Sequence, residues 1–180
     1  LISRFLRGDF GANDAVHPQL VALLFAEDRH GAASLMNKAL YEGKTVLLDR
    51  YVYSNIAYQC AKLADMKERR ALRDWIFNTE YGDFALPEPD LNLFLDVPID
   101  FVEKSLSHER GGQDRDYLSG GRDIHEASIG FQKAVRDMYL GETARDPRFR
   151  RIDCSSEDGE MLPPDAIFGR IRAAIDPFLK

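Results

Sequence analysis

Residues 49–59 read Asp-Arg-Tyr-Val-Tyr-Ser-Asn-Ile-Ala-Tyr-Gln, directly after the apolar run Thr45-Val46-Leu47-Leu48. A carboxylate at a strand end, here Asp49, can hold a magnesium ion directly or through water, because magnesium prefers hard oxygen ligands. A guanidinium beside it, Arg50, can grip a phosphate with a two-pronged fork. The dipeptide alone is equally what an ordinary strand end looks like. If a helix begins near Ser54, Asn55 and Tyr58 are spaced i, i+3 and face the same way. An amide and a phenol then stand together where they can read a base edge and close off a sugar. Ser54 either positions this turn or caps the helix.

Two further groups have the right chemistry. Phe25 and Arg29, within Leu23-Leu24-Phe25-Ala26-Glu27-Asp28-Arg29-His30, are spaced i, i+4 on a predicted helix. An aromatic face and a guanidinium therefore project together; the competing reading is core packing beside a surface ion pair. Residues 109–125 carry four glycines and the arginines Arg110, Arg115 and Arg122 among many charges. Arginines on a closing loop can neutralise charge on a transferring phosphoryl group while excluding water. His125, at the exit of that loop, either contacts a nucleotide or caps the next helix. The four histidines have no ligand-type spacing.

The elements that must position these groups alternate. His17-Pro18 opens a long helix with an expected apolar stripe of Leu20, Leu24, Ala32, Leu35 and Leu40, with Gly31 a possible kink and Gly43 its end. Strands are expected at 45–48, 91–97 and 149–154, and helices at 54–64, 67–81, 99–108 and 126–140. A last amphipathic helix follows Pro163-Pro164-Asp165, with Ile167, Phe168, Ile171 and Ile175 on one side. Buried strands alternating with helices predict an α/β fold with a parallel sheet covered on both faces. Ligands in such sheets lie outside the carboxyl ends of the strands, which directs attention to Asp49-Arg50 and to Asp96.

Bulk properties bound the function. A length of 180 residues suits one domain, with 109–125 a loop within it. A formal charge of −6 argues against binding a nucleic-acid polymer or a membrane surface. Cys60 and Cys154 lie far apart and read as reduced thiols of a cytoplasmic protein. No apolar run reaches the ~18–20 residues that span a bilayer.

The stretch 49–59 resembles the DR[YH]xxSxxAYQ signature of thymidylate kinases, with Asp49, Arg50, Tyr51, Ser54, Ala57, Tyr58 and Gln59 all matching. The shorter form found in deoxynucleoside kinases fits less well. The segment 23–30 is similar to the same family's LLFxAxR-type element, and Ile152-Asp153-Cys154-Ser155-Ser156 resembles its last strand and adenine-bordering loop. The resemblance implies a three-layer fold of the P-loop nucleoside monophosphate kinases, ATP and Mg2+ as cofactors, and phosphorylation of dTMP to dTDP. It implies that Phe25 stacks on thymine, that Arg29 bonds its carbonyl edge and that Asn55 lies near the base. Tyr58 would crowd the ribose 2′ position, Arg50 would hold the monophosphate and Asp49 would orient magnesium. Residues 109–125 would be the LID, with Arg110, Arg115 and Arg122 candidates for the phosphates. A homodimer through a flanking helix such as 20–40 is also implied.

One expected element is not in the sequence. The strand–GxxxxGK[ST]–helix that cradles ATP has no match. Gly43-Lys44-Thr45 copies its tail, but Lys38 stands where the first glycine is required. The family's arginine- and proline-containing segment is missing as well. With no methionine before Leu1, the 180 residues are expected to be part of a longer protein. The alternatives are a kinase for another nucleoside or nucleoside monophosphate, and a catalytically inactive nucleotide-binding homologue.

Overall fold

The computed structural model describes residues 1–107 and 128–179. The expected LID residues Arg110, Arg115 and Arg122, and His125, lie outside that range. The chain gathers into two compact units, Leu1–Glu88 with Arg110–Met138, and Pro89–Glu109 with Tyr139–Lys180.

The first unit is helical: α1 (Ile2–Leu6), α2 (Pro18–Tyr41), α3 (Val52–Cys60), α4 (Met66–Phe77) and the start of α6 (Ile129–Thr143). At the start of α2, His17 Nδ1 accepts from the Gln19 N–H at 3.3 Å and Pro18 takes the first turn. Its far end is a Schellman closure, with Gly43 at φ +73°, the Gly43 N–H on Leu40 O and the Lys44 N–H on Ala39 O. Gly43-Lys44-Thr45 is thus a helix terminus rather than a phosphate cradle, and Gly31 does not interrupt the helix.

The buried face of α2 is not the expected one. Val21, Ala22, Ala26, Ala33 and Met36 are buried, while Leu20, Leu35 and Leu40 are exposed. Small side chains at Ala22, Ala26 and Ala33 let α3 approach closely, and α3 needs that approach. Eight of its nine residues are buried, so it forms the centre of the unit. Full burial of Val52 and Ile56 contributes roughly 1.5–3 kcal/mol for each side chain.

Asp65 caps α4, its Oδ1 accepting from the Lys67 and Glu68 N–H groups at 2.8 and 3.0 Å. The helix then widens into a π-helical segment, Asn78–Asp83, closed by the Phe84 N–H on Thr79 O. The expected strand at 45–48 is not formed. A strand needs a ladder partner, and among the described residues this stretch has none; Leu47 is 94% exposed.

The second unit holds β1 (Asn92–Asp96) and β2 (Phe149–Asp153), which pair in parallel with Asn92 opposite Phe149 and Asp96 opposite Asp153. Tyr139 of α6 stacks on Phe94 at 4.7 Å and meets Phe149 edge-on. Here α5 (Ile99–Ser107) follows β1 and α7 (Pro164–Ile175) follows β2. Parallel strands linked through helices are the α/β organisation that the alternating pattern predicts. Of the stripe expected on α7, Ile167 is buried, Ile171 and Ile175 are half-buried and Phe168 is exposed. No described helix is long and apolar enough to cross a membrane.

Candidate active site

Four of the predicted residues meet at α3, Arg50 with Tyr58 and Arg29 with Asn55 through a shared carboxylate. Arg50 precedes the helix in the left-handed region, at φ +65°. A non-glycine residue there stores conformational strain, which clusters at sites where geometry matters. Its guanidinium carbon lies 5.0 Å over the Tyr58 ring, a contact worth about 0.5–1 kcal/mol at an exposed position. The expected phosphate and sugar residues are therefore neighbours. The Tyr58 ring in turn meets Phe131 of α6 edge-on at 6.0 Å.

Ser54 does not cap the helix, because α3 begins two residues earlier with Tyr51 as its N-cap; Ser54 lies inside the first turn and donates its backbone N–H to Tyr51 O. Asp49 is exposed at the end of the extended segment. Phe25 is half-buried on α2, one turn before Arg29.

Arg29 is not a surface residue, and its partner is one that sequence reasoning missed. The carboxylate of Glu80 is fully buried, with Oε2 accepting from Arg29 Nε at 2.5 Å and Oε1 from Nη2 at 2.7 Å. The same Oε1 accepts from Asn55 Nδ2 at 2.9 Å, and Ala22 O accepts from that nitrogen at 3.0 Å. Thus α2, α3 and the π-helical segment meet at one buried carboxylate. Glu80 follows Leu72 and Ile76 at four-residue spacing, the one sequence signal of its burial, although it lies past the end of α4 in the π-helical segment.

Aromatic rings shield this junction. Tyr53 meets Phe77 edge-on, Phe77 stacks on Tyr81, and Tyr81 lies tilted against Tyr51. The Tyr51 hydroxyl donates to Pro87 O at 3.0 Å. Burial, reinforced by the Glu80 carboxylate and opposed by Arg29, pushes its pKa up to about 12, so it remains a donor at neutral pH. Gln59, one turn beyond Asn55, is 1% exposed, and among the described residues neither end of its amide has a hydrogen-bond partner.

Among the described residues no group of three His, Cys, Asp or Glu side chains is placed to hold a metal ion. A lone exposed carboxylate such as Asp49 does not make a protein cage. It does fit the mode in which magnesium keeps waters and takes phosphate oxygens beside one carboxylate. In the second unit, Asp96 is committed elsewhere: its Oδ2 accepts from Arg151 Nε at 2.6 Å, and the residue is 1% exposed.

The family model "Thymidylate kinase" matches residues 2–161. A thymidylate kinase from Leifsonia xyli subsp. xyli is 32% identical over 163 residues, covering 89% of this chain and 68% of the relative. A probable thymidylate kinase from Pyrococcus horikoshii is 35% identical over 136 residues, covering 75% and 57%. The solved thymidylate kinase from Candida albicans superposes with a TM-score of 0.68 at 25% identity, over 98% of this chain and 72% of that one. The chain thus spans about two thirds or less of the two sequence relatives, while the matches cover 89% and 75% of its own residues. With the motif residues gathered on α3 and a fold shared with a solved member, the chain belongs to the thymidylate kinase family.

Proposed function

We propose that the chain provides the acceptor side of an ATP-dependent kinase that phosphorylates dTMP to dTDP. One observation carries this: the two α3 residues expected to face the nucleotide are each tied to an arginine. Asn55 is joined to Arg29 through Glu80, and Tyr58 lies under Arg50. That supports a base-reading group and a phosphate-holding group carried together by one buried helix.

In this reading a phosphate oxygen of dTMP attacks the γ-phosphorus of ATP and ADP leaves. Arg50 holds the acceptor phosphate with its fork. Phe25 stacks on thymine, Arg29 donates to a base carbonyl, and Tyr58 closes the 2′ side of the sugar. Ser54 helps hold the turn that carries Arg50. Arg110, Arg115 and Arg122 neutralise the transferring phosphoryl group, and His125 meets the nucleotide. Asp49 orients a hydrated Mg2+, which neutralises phosphate charge when bound. The sequence holds no GxxxxGK[ST] segment, so the donor cradle is not among these residues. A homodimer through α2 is supported by the exposure of Leu20 and Leu35. A cytoplasmic setting is supported by two buried free cysteines.

A coupled assay of ADP release tests the reading, using the full polypeptide that carries these residues with dTMP, dUMP, dCMP and dGMP as acceptors. The expected result is the highest kcat/KM for dTMP. A preference for a purine or cytidine acceptor overturns the substrate. Tight dTMP binding without phosphoryl transfer favours the inactive homologue instead.

A further inference from the structure

The Glu80 junction decides more than stability. Asn55 Nδ2 has two hydrogens, and both are taken, one by Glu80 Oε1 and one by Ala22 O. Both partners are pure acceptors. Turning the amide over would set Oδ1 against two oxygens, so its orientation is forced. Oδ1 is then left buried, on a residue 3% exposed, with no hydrogen-bond partner among the described residues. Folded proteins rarely leave such an acceptor unmet.

Arg29 is constrained by the same carboxylate. Its Nε–Nη2 edge is committed to Glu80, so only the remaining N–H groups on Nη1 and Nη2 can address a ligand. One buried acid therefore produces a fixed pattern: a lone acceptor on Asn55 and donors on Arg29.

We propose that Glu80 is a positioning residue that sets the hydrogen-bond polarity of the acceptor-base site, so that it takes a pyrimidine imide and rejects cytosine. This rests on the reading that α2 and α3 hold the acceptor base. The imide edge of thymine or uracil offers a ring N–H beside a carbonyl, the complement of an acceptor next to a donor. The corresponding cytosine edge offers a bare ring nitrogen beside an amino group. It meets Oδ1 lone pair to lone pair and the guanidinium hydrogen to hydrogen. Buried polar groups left facing the wrong partner are what make such sites selective.

The test is Glu80→Gln in the full polypeptide, assayed with dTMP and dCMP. The replacement keeps the shape, removes the charge and turns one acceptor of the carboxylate into a donor. The ratio of kcat/KM for dTMP over dCMP is expected to fall about tenfold or more, with the KM for ATP unchanged. An equal loss with both acceptors, leaving the ratio intact, assigns Glu80 a structural role only and overturns the proposal. If the parent protein itself does not favour dTMP over dCMP, the reading of the site fails before Glu80 is reached. A second measurement needs no variant. In the parent protein bound dTMP should show a thymine imino proton protected from exchange and coupled through the hydrogen bond to the Asn55 side-chain carbonyl carbon. An imino proton that exchanges as freely as in unbound dTMP overturns the proposal even if Glu80→Gln does not fold.

Discussion

Arg29 sits against a carboxylate from which water is excluded, so removing it does two things at once. The sequence suggests an alanine replacement that costs base recognition, an effect on the order of 1–3 kcal/mol by analogy with base stacking. The burial of Glu80 makes the loss of the ion pair costlier still. Breaking a buried ion pair by deleting one partner costs roughly 3–5 kcal/mol, because the other charge is left uncompensated. The second effect wins. Arg29→Ala is expected to lower folding stability by about that amount at neutral pH, measured by urea unfolding. A loss well below that range would mean that the buried charge is compensated by groups other than Arg29. At this scale the motif residues were legible because their types are fixed by chemistry. Glu80 was not, because a single acid at the end of a predicted helix looks like a solvated one.

Elements succeed or fail in the sequence according to whether local rules decide them. The close of α2 was legible: glycine after the last helical turn, adopting the left-handed conformation at φ +73°. A β-carbon at Gly43 would meet nothing within 4 Å, so replacing it costs conformational energy and no clash. Gly43→Ala should destabilise by about 1–2 kcal/mol, the usual cost of left-handed backbone for a residue with a side chain, read as a fall in Tm. The same variant should leave ATP affinity unchanged, since Gly43-Lys44-Thr45 closes a helix; a loss of ATP binding would revive the phosphate-cradle reading of that tripeptide. The strand expected at 45–48 shows the opposite case. Apolar β-branched content makes a strand possible, but a ladder is a long-range decision and none forms there. The widening of α4 into the π-helical segment was equally hidden, and it is this widened turn that carries Glu80 into the junction.

For the whole molecule, the leucines of α2 are the feature that the unit does not absorb. Periodicity predicted them as the buried stripe, yet the packing against α3 uses the alanine-rich face instead. Close approach to a nearly fully buried α3 favours small side chains, so the larger apolar residues are turned outward. Leu20 and Leu35 are 59% and 72% exposed, and helical spacing puts them, with Leu24, within about 60° of one another. A twofold interface is self-complementary, so each leucine on the face is buried twice, and a charge introduced there is also introduced twice. Leu35→Glu should therefore convert a dimer of the full polypeptide into monomers in sedimentation equilibrium at micromolar concentration. Because Leu35 is exposed in the chain itself, the same substitution should change the stability of the monomer by less than about 0.5 kcal/mol. A mass that stays dimeric with Leu35→Glu removes α2 as the interface, while a parent protein that is monomeric at the same concentration removes the homodimer. A variant that turns monomeric and still phosphorylates dTMP at the parent rate would show that each α3 site works within its own chain.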